Sequence, residues 1–62
     1  MENKISVVIV DDSRQTRENI AAIMDFEKDI EIVGEASDGL QAIEVIRAKK
    51  PNIVLMDINM PE

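Results

Sequence analysis

Sixty-two residues with no cysteine and no histidine make at most one small domain, and they offer neither a disulfide nor a Cys/His metal cluster to hold it together. A net charge of −6 argues against binding nucleic acid or an anionic membrane surface, both of which call for a basic face. No apolar run reaches membrane-spanning length. At 45% hydrophobic content the chain is too apolar for disorder. Phe26 is the one aromatic residue, so the core must come from Ile, Val, Leu, Met and Ala. The first residues lack the charged-then-apolar layout of a secretory signal, which makes the cytoplasm the expected setting. A folded unit this small buries only about 60% of its unfolded surface. It therefore needs a very efficient core, a second copy, or more chain around it.

The apolar pattern breaks into five pieces. Ile5 to Val10 (ISVVIV) is a short β-branched run of the kind found in a parallel strand buried on both faces. It ends at Asp11-Asp12-Ser13. From Ser13 to about Phe26 the period becomes helical, with Thr16, Ile20, Ile23 and Met24 on one stripe. Asp12 and Gln15 have capping-box spacing at its start. Glu27-Lys28-Asp29 reads as a polar turn. Ile30 to Ala36 (IEIVGEA) sets Ile30 and Ile32 against Glu31, which suits an edge strand with one more exposed face. Asp38 and Gln41 repeat the capping-box spacing before a second helix, Gly39 to Lys49, with Leu40, Ala42, Ile43 and Ile46 expected inward. Lys49 and Lys50 sit where the helix dipole favours cations, and Pro51 stops the helix. Ile53 to Met56 (IVLM) is a further buried strand, ending at Asp57. The order β-α-β-α-β makes this an α/β chain with a parallel sheet and right-handed crossovers.

In such a sheet ligands bind outside the carboxyl ends of the strands. Asp11 and Asp12 end the first strand and Asp57 the third. If those strands are neighbours they lie roughly 4.8 Å apart. Each like-charge pair at 4 Å then costs about 1 kcal/mol in water and about 4 kcal/mol at an effective dielectric of about 20. Three crowded carboxylates call for a cation, and an all-oxygen set points to Mg²⁺ or another hard divalent ion. A carboxylate can also be the nucleophile that forms an acyl phosphate, with a metal neutralising charge on the transferred group. Asp57 is the best nucleophile, because a buried strand fixes its position and nothing around it reads as a cap. Asp11 and Asp12 look like metal holders. A lone strand-end Asp is more often a turn or N-cap residue, and the residues alone leave both roles open to Asp12. Asp38 is assigned to capping alone. Met24, Met56 and Met60 read as core filler, and Lys49 and Lys50 as a solvated helix end.

Three segments, VVIVDDS at Val7 to Ser13, VGEASDG at Val33 to Gly39 and VLMDINMPE at Val54 to Glu62, together resemble the receiver domains of bacterial two-component response regulators, of the chemotaxis-regulator-like kind. The resemblance covers all 62 residues. It implies a flavodoxin-like fold, a doubly wound sheet of order 2-1-3-4-5, here truncated to 2-1-3 as a partial receiver domain over 1–62. It implies that Asp57 takes a phosphoryl group from a phosphohistidine on a sensor histidine kinase. It also implies that Asp11 and Asp12 organise Mg²⁺, with carboxylates of Asp12 and Asp57 and the backbone carbonyl of Asn59 as direct ligands. The Ser/Thr ending strand four, the Lys ending strand five and the switch aromatic of strand five would lie outside these residues, and full signalling with them. The chain is then a phosphoacceptor and not an enzyme. Its third strand, left at a sheet edge, is expected to recruit a second copy and form a homodimer.

Other classes fit less well. A half-domain, cut deliberately or left by proteolysis, would self-assemble without activity. A haloacid-dehalogenase-type phosphatase wants a second acid two positions past its nucleophile, where Asp57 is followed by Asn59 and Asp11 by Ser13. A dinucleotide-binding domain wants a G-x-G-x-x-G after the first strand, and none is there.

Overall fold

A computed structural model describes residues 4–56, as β1 (Ile5–Val10), α1 (Arg14–Met24), β2 (Ile30–Ala36), α2 (Gly39–Lys49) and β3 (Ile53–Met56). The expected alternation is observed. The three strands form one parallel sheet of order β2-β1-β3, so the fold is α/β, a receiver-like sheet carried through its third strand. The expectations for Asp57, Asn59 and Met60 concern residues outside those described.

β1 runs through the middle because it is apolar on both faces. Val7, Val8, Ile9 and Val10 are all buried. Val8 and Val10 join Ala36 and Ala42 in the core beneath α2, with Val33, Val45, Ile46 and Val54 packed against it. Val7 and Ile9 alternate to the other face, the side on which α1 lies across β1 and β2. β2 is an edge strand, as its exposed Glu31 and Glu35 require. Its register against β1 slips by one residue, from Val7 opposite Ile32 to Val8 opposite Gly34, so Val33 is an extra, bulged residue. A glycine inside a strand is a common mark of a bulge or a close approach. Gly34 marks both, because a Cβ there would meet Val45 Cγ1 at 2.6 Å.

That close approach decides which way α2 faces. The helix lays Ala42, Val45, Ile46 and Lys49 over the sheet, at i, i+3, i+4 and i+7. Leu40 and Ile43, expected inward, are exposed instead, at 78% and 50%. Ala42 and Ile46 face inward as expected, and branched Val45, not bulkier Leu40 or Ile43, takes the seat that Gly34 opens. On α1, Thr16, Ile20 and Met24 are half-buried as expected, whereas Ile23 is exposed. Among the described residues α1 packs on β1 and β2 and not on β3, so nothing covers that flank of its stripe. Helix α1 ends at Met24, and Phe26 beyond it is exposed.

The polar expectations also divide. Ser13, not Asp12, caps α1, and its hydroxyl accepts the Thr16 N–H at 3.2 Å. Asp38 caps α2 as expected, accepting the Gln41 N–H at 2.8 Å. The Gln41 side chain turns back one residue further than a capping box requires, onto the N–H and hydroxyl of Ser37, each at 2.9 Å. α2 closes with Arg47 and Lys49 in its last turn and Lys50 in the left-handed region, at φ 48°, donating its N–H to the Ile46 carbonyl. Met56 is exposed, not core filler, because no helix among the described residues lies over β3.

Candidate functional site

The candidate site sits at the carboxyl end of the sheet. β1 and β3 are parallel neighbours, with Val10 opposite Met56, so the two strands finish level. Asp11 follows Val10, and Asp57 is the next residue in the chain after Met56. At the opposite end, Asn52 fixes the start of β3. Its side-chain oxygen accepts both the N–H of Ser6 at 2.9 Å and the hydroxyl of Ser6 at 3.0 Å. Its own N–H is shared between the Ser6 carbonyl and hydroxyl, 2.9 Å from each. This link pins the register of the two strands whose ends carry the acids, and no periodicity in the sequence announces it.

The two aspartates of the acidic turn are placed differently. Asp11 is 5% exposed, and its N–H, its carbonyl and its Oδ1 are each hydrogen-bonded. Its N–H donates to the Ala36 carbonyl at 3.0 Å, continuing the pairing of β1 with β2. Its Oδ1 accepts the Ser13 N–H at 2.8 Å, an Asx-type turn that swings the chain into α1. Its carbonyl accepts from Nη1 of Arg17 at 2.6 Å. Asp12 is exposed and makes no hydrogen bond or ion pair among the described residues. Because Ser13 does the capping, the Asp12 carboxylate is not spent on the helix.

Arg17 is the residue the sequence reading missed. It also holds Glu35 of β2, Nε to Oε1 at 3.2 Å, and its side chain is only 15% exposed. The signal was its position, since the start of a helix is the positive end of the dipole and a poor place for a cation without specific acceptors. The larger surface groove, between α1 and β2 and lined by Ala21, Met24, Ile30 and Ile32 among others, lies away from the acidic turn.

No group of three or more acidic, His or Cys side chains is gathered as a metal site among the described residues. What is there suits a hard cation nonetheless. The exposed, uncommitted Asp12 stands beside the ordered Asp11, with oxygen donors only, and Mg²⁺ is commonly held by one or two carboxylates plus water.

Sequence comparison agrees with this geometry. Residues 7–62 match the response regulator receiver domain family. The chain belongs to that family. It is 43% identical over 61 residues to the transcriptional regulatory protein DegU of Brevibacillus brevis, covering 98% of this chain and 26% of that protein. It is 48% identical over 59 residues to a protein-glutamate methylesterase/protein-glutamine glutaminase of Paramagnetospirillum magneticum, covering 95% of this chain and 17% of that protein. A transcriptional regulatory protein of Bacillus subtilis, YhcZ, is 45% identical over 58 residues, 94% of this chain and 27% of its own length. The chain thus spans about a quarter or less of the curated relatives it matches. As a receiver-domain sequence it belongs to the phosphate-accepting side of two-component signalling. Among the described residues no helix is long and apolar enough to cross a membrane.

Proposed function

We propose that this chain is the phosphoacceptor part of a receiver, a partial receiver domain over 1–62, and that Asp57 is its acceptor. The observation that carries the reading is the level finish of β1 and β3, with an uncommitted Asp12 at the end of one and Asp57 next in sequence at the end of the other. A carboxylate oxygen of Asp57 attacks the phosphorus of a phosphohistidine on a sensor histidine kinase. The P–N bond breaks, its electron pair leaves with the imidazole, and an acyl phosphate remains on Asp57. Asp11, Asp12 and Asp57, with the backbone carbonyl of Asn59, are the residues we assign to holding Mg²⁺. When bound, that ion supplies charge neutralisation on the phosphoryl oxygens. Asp11 works mainly by ordering the turn, and Asp12 offers its carboxylate outward. The kinase partner and a cytoplasmic setting belong to this reading. Several relatives are named as methylesterases; the matched receiver segment supports phosphate acceptance, and we assign these 62 residues no enzyme activity of their own.

Incubation with acetyl phosphate and Mg²⁺, followed by intact-mass and peptide mass spectrometry, tests this. A phosphoryl adduct confined to Asp57 and abolished in Asp57→Asn is expected. The Ser/Thr and Lys that the resemblance places outside these residues would each donate to the phosphoryl oxygens, worth about 3 kcal/mol apiece, so the adduct on the 62-residue chain should be sparse or short-lived. Modification elsewhere, or none at all, sinks the reading.

A second reading is favoured by β3. It lies at a sheet edge, no helix among the described residues packs on it, and Ile53 and Met56 are 45% and 52% exposed. We infer that the 62-residue chain forms a two-fold homodimer, pairing two β3 strands antiparallel into a continuous sheet of about six strands. Exchange of an element between chains is the alternative geometry. If the adduct never forms while the dimer does, the chain is a self-assembling half-domain without activity. Light scattering after size exclusion, near about 100 μM, should report twice the chain mass; a compact monomer that unfolds cooperatively removes the dimer.

A further inference from the structure

Arg17 sits where three elements meet. It rises from α1, reaches the carbonyl of Asp11 at the end of β1 with Nη1, and reaches the carboxylate of Glu35 on β2 with Nε. The flat, forked guanidinium can serve two acceptors at once in fixed geometry, which an ammonium cannot. One of those acceptors is the peptide carbonyl that joins Asp11 to Asp12. Asp11 is buried, and a buried carbonyl left without a partner is costly. The other two bonds of Asp11, from Ser13 N–H and to Ala36 carbonyl, fix the two sides of the same peptide turn. Among the described residues Arg17 is therefore the one side chain from outside the turn that fixes its orientation, and its charge is paired with Glu35.

We propose that Arg17 is a positioning residue for the acidic turn: it holds the Asp11–Asp12 peptide against the end of β1 so that the Asp12 carboxylate stays presented to a divalent cation. This deepens, and rests on, the reading of the acidic pair as a Mg²⁺ site. Arg17 itself touches neither metal nor phosphate. Its partner Glu35 provides the control, because it shares the ion pair with Arg17 but does not touch the turn.

The test uses the 62-residue chain and its Arg17→Gln, Arg17→Lys and Glu35→Gln variants. Mg²⁺ affinity is read by titration calorimetry, and amide exchange at Ser13 is read by NMR without metal. Losing a group that orients a metal ligand commonly costs 10–100-fold in affinity, so Arg17→Gln should weaken Mg²⁺ binding by about tenfold. It should also speed exchange of the Ser13 amide that Asp11 holds. Arg17→Lys should recover part of both, since its ammonium can still reach the Asp11 carbonyl. Glu35→Gln should leave Mg²⁺ affinity unchanged, its amide oxygen still accepting from Nε. Unchanged Ser13 exchange in Arg17→Gln overturns the proposal. So does an equal loss of affinity in Glu35→Gln, which would make the role merely structural. A wild type that binds no Mg²⁺ overturns the metal reading itself, and the role of Arg17 with it.

Discussion

After Val10 the chain reads Asp-Asp-Ser, and after Ala36 it reads Ser-Asp-Gly; both triplets turn a buried strand end into a helix, and they divide the labour in opposite ways. In the first, Ser13 caps α1, Asp11 is folded into the turn, and Asp12 is left with nothing to do for the fold. In the second, Asp38 caps α2 and Gln41 closes back on Ser37, so every side chain with a polar group is spent on local structure. Asp38, spent on the cap, is a poor candidate for a cation, and Asp12, left in solvent beside an ordered neighbour, is a good one. The difference between the two β-α units is a difference in which oxygen does the capping. The packing differs as well: α2 is pressed onto β2 at Gly34, while α1 has no fully buried residue.

The largest expected effect breaks the tighter of the two units. Gly34→Ala puts a methyl group 2.6 Å from Val45 Cγ1, and overpacking of this kind costs about 1–3 kcal/mol. Urea unfolding should show a clear drop in midpoint, with amide protection lost first in α2. A variant as stable as wild type would mean that α2 can move away freely and is not seated by that glycine. Next comes the contrast between the two aspartates. Asp12→Asn should lower Mg²⁺ affinity by about tenfold or more, equivalent to about 1.4 kcal/mol, with little change in stability. Asp38→Asn should leave affinity alone, and equal binding by Asp12→Asn and wild type would remove Asp12 from the site. Smallest are the cap truncations, Ser13→Ala and Asp38→Ala, each expected to cost about 1 kcal/mol by thermal unfolding. If Ser13→Ala costs nothing because Asp12 takes over the cap, Mg²⁺ affinity should fall with it, since one carboxylate cannot easily serve both.

The elements were legible because each carries a local signal: short apolar runs for β1 and β3, helical period and Pro51 for the helices, exposed glutamates for β2. Asp11 and Asp12 were legible as the residues that end β1. The exposure of Leu40 and Ile43 was not, because the pattern of apolar residues on α2 admits two neighbouring faces, and the choice between them falls to Gly34 and the bulge at Val33 on another strand. The cap of α1 was misplaced by one residue for a similar reason. Asp12 and Ser13 are both good caps, and the three bonds that hold Asp11 leave Ser13 in position to take the Thr16 N–H.

What the sequence determined by itself, then, was the order of strands and helices and the place of Asp11 and Asp12 at the end of β1, since these follow from short-range period and residue chemistry. The tertiary structure alone decided that β1 and β3 finish level, through the Ser6–Asn52 link 46 residues apart in the chain. It alone decided that Arg17 reaches the Asp11 carbonyl, and that Asp12 is spared from capping. Those are relations between residues on different elements, and a hydrogen bond between two elements depends on how they are packed together, which no window of sequence contains.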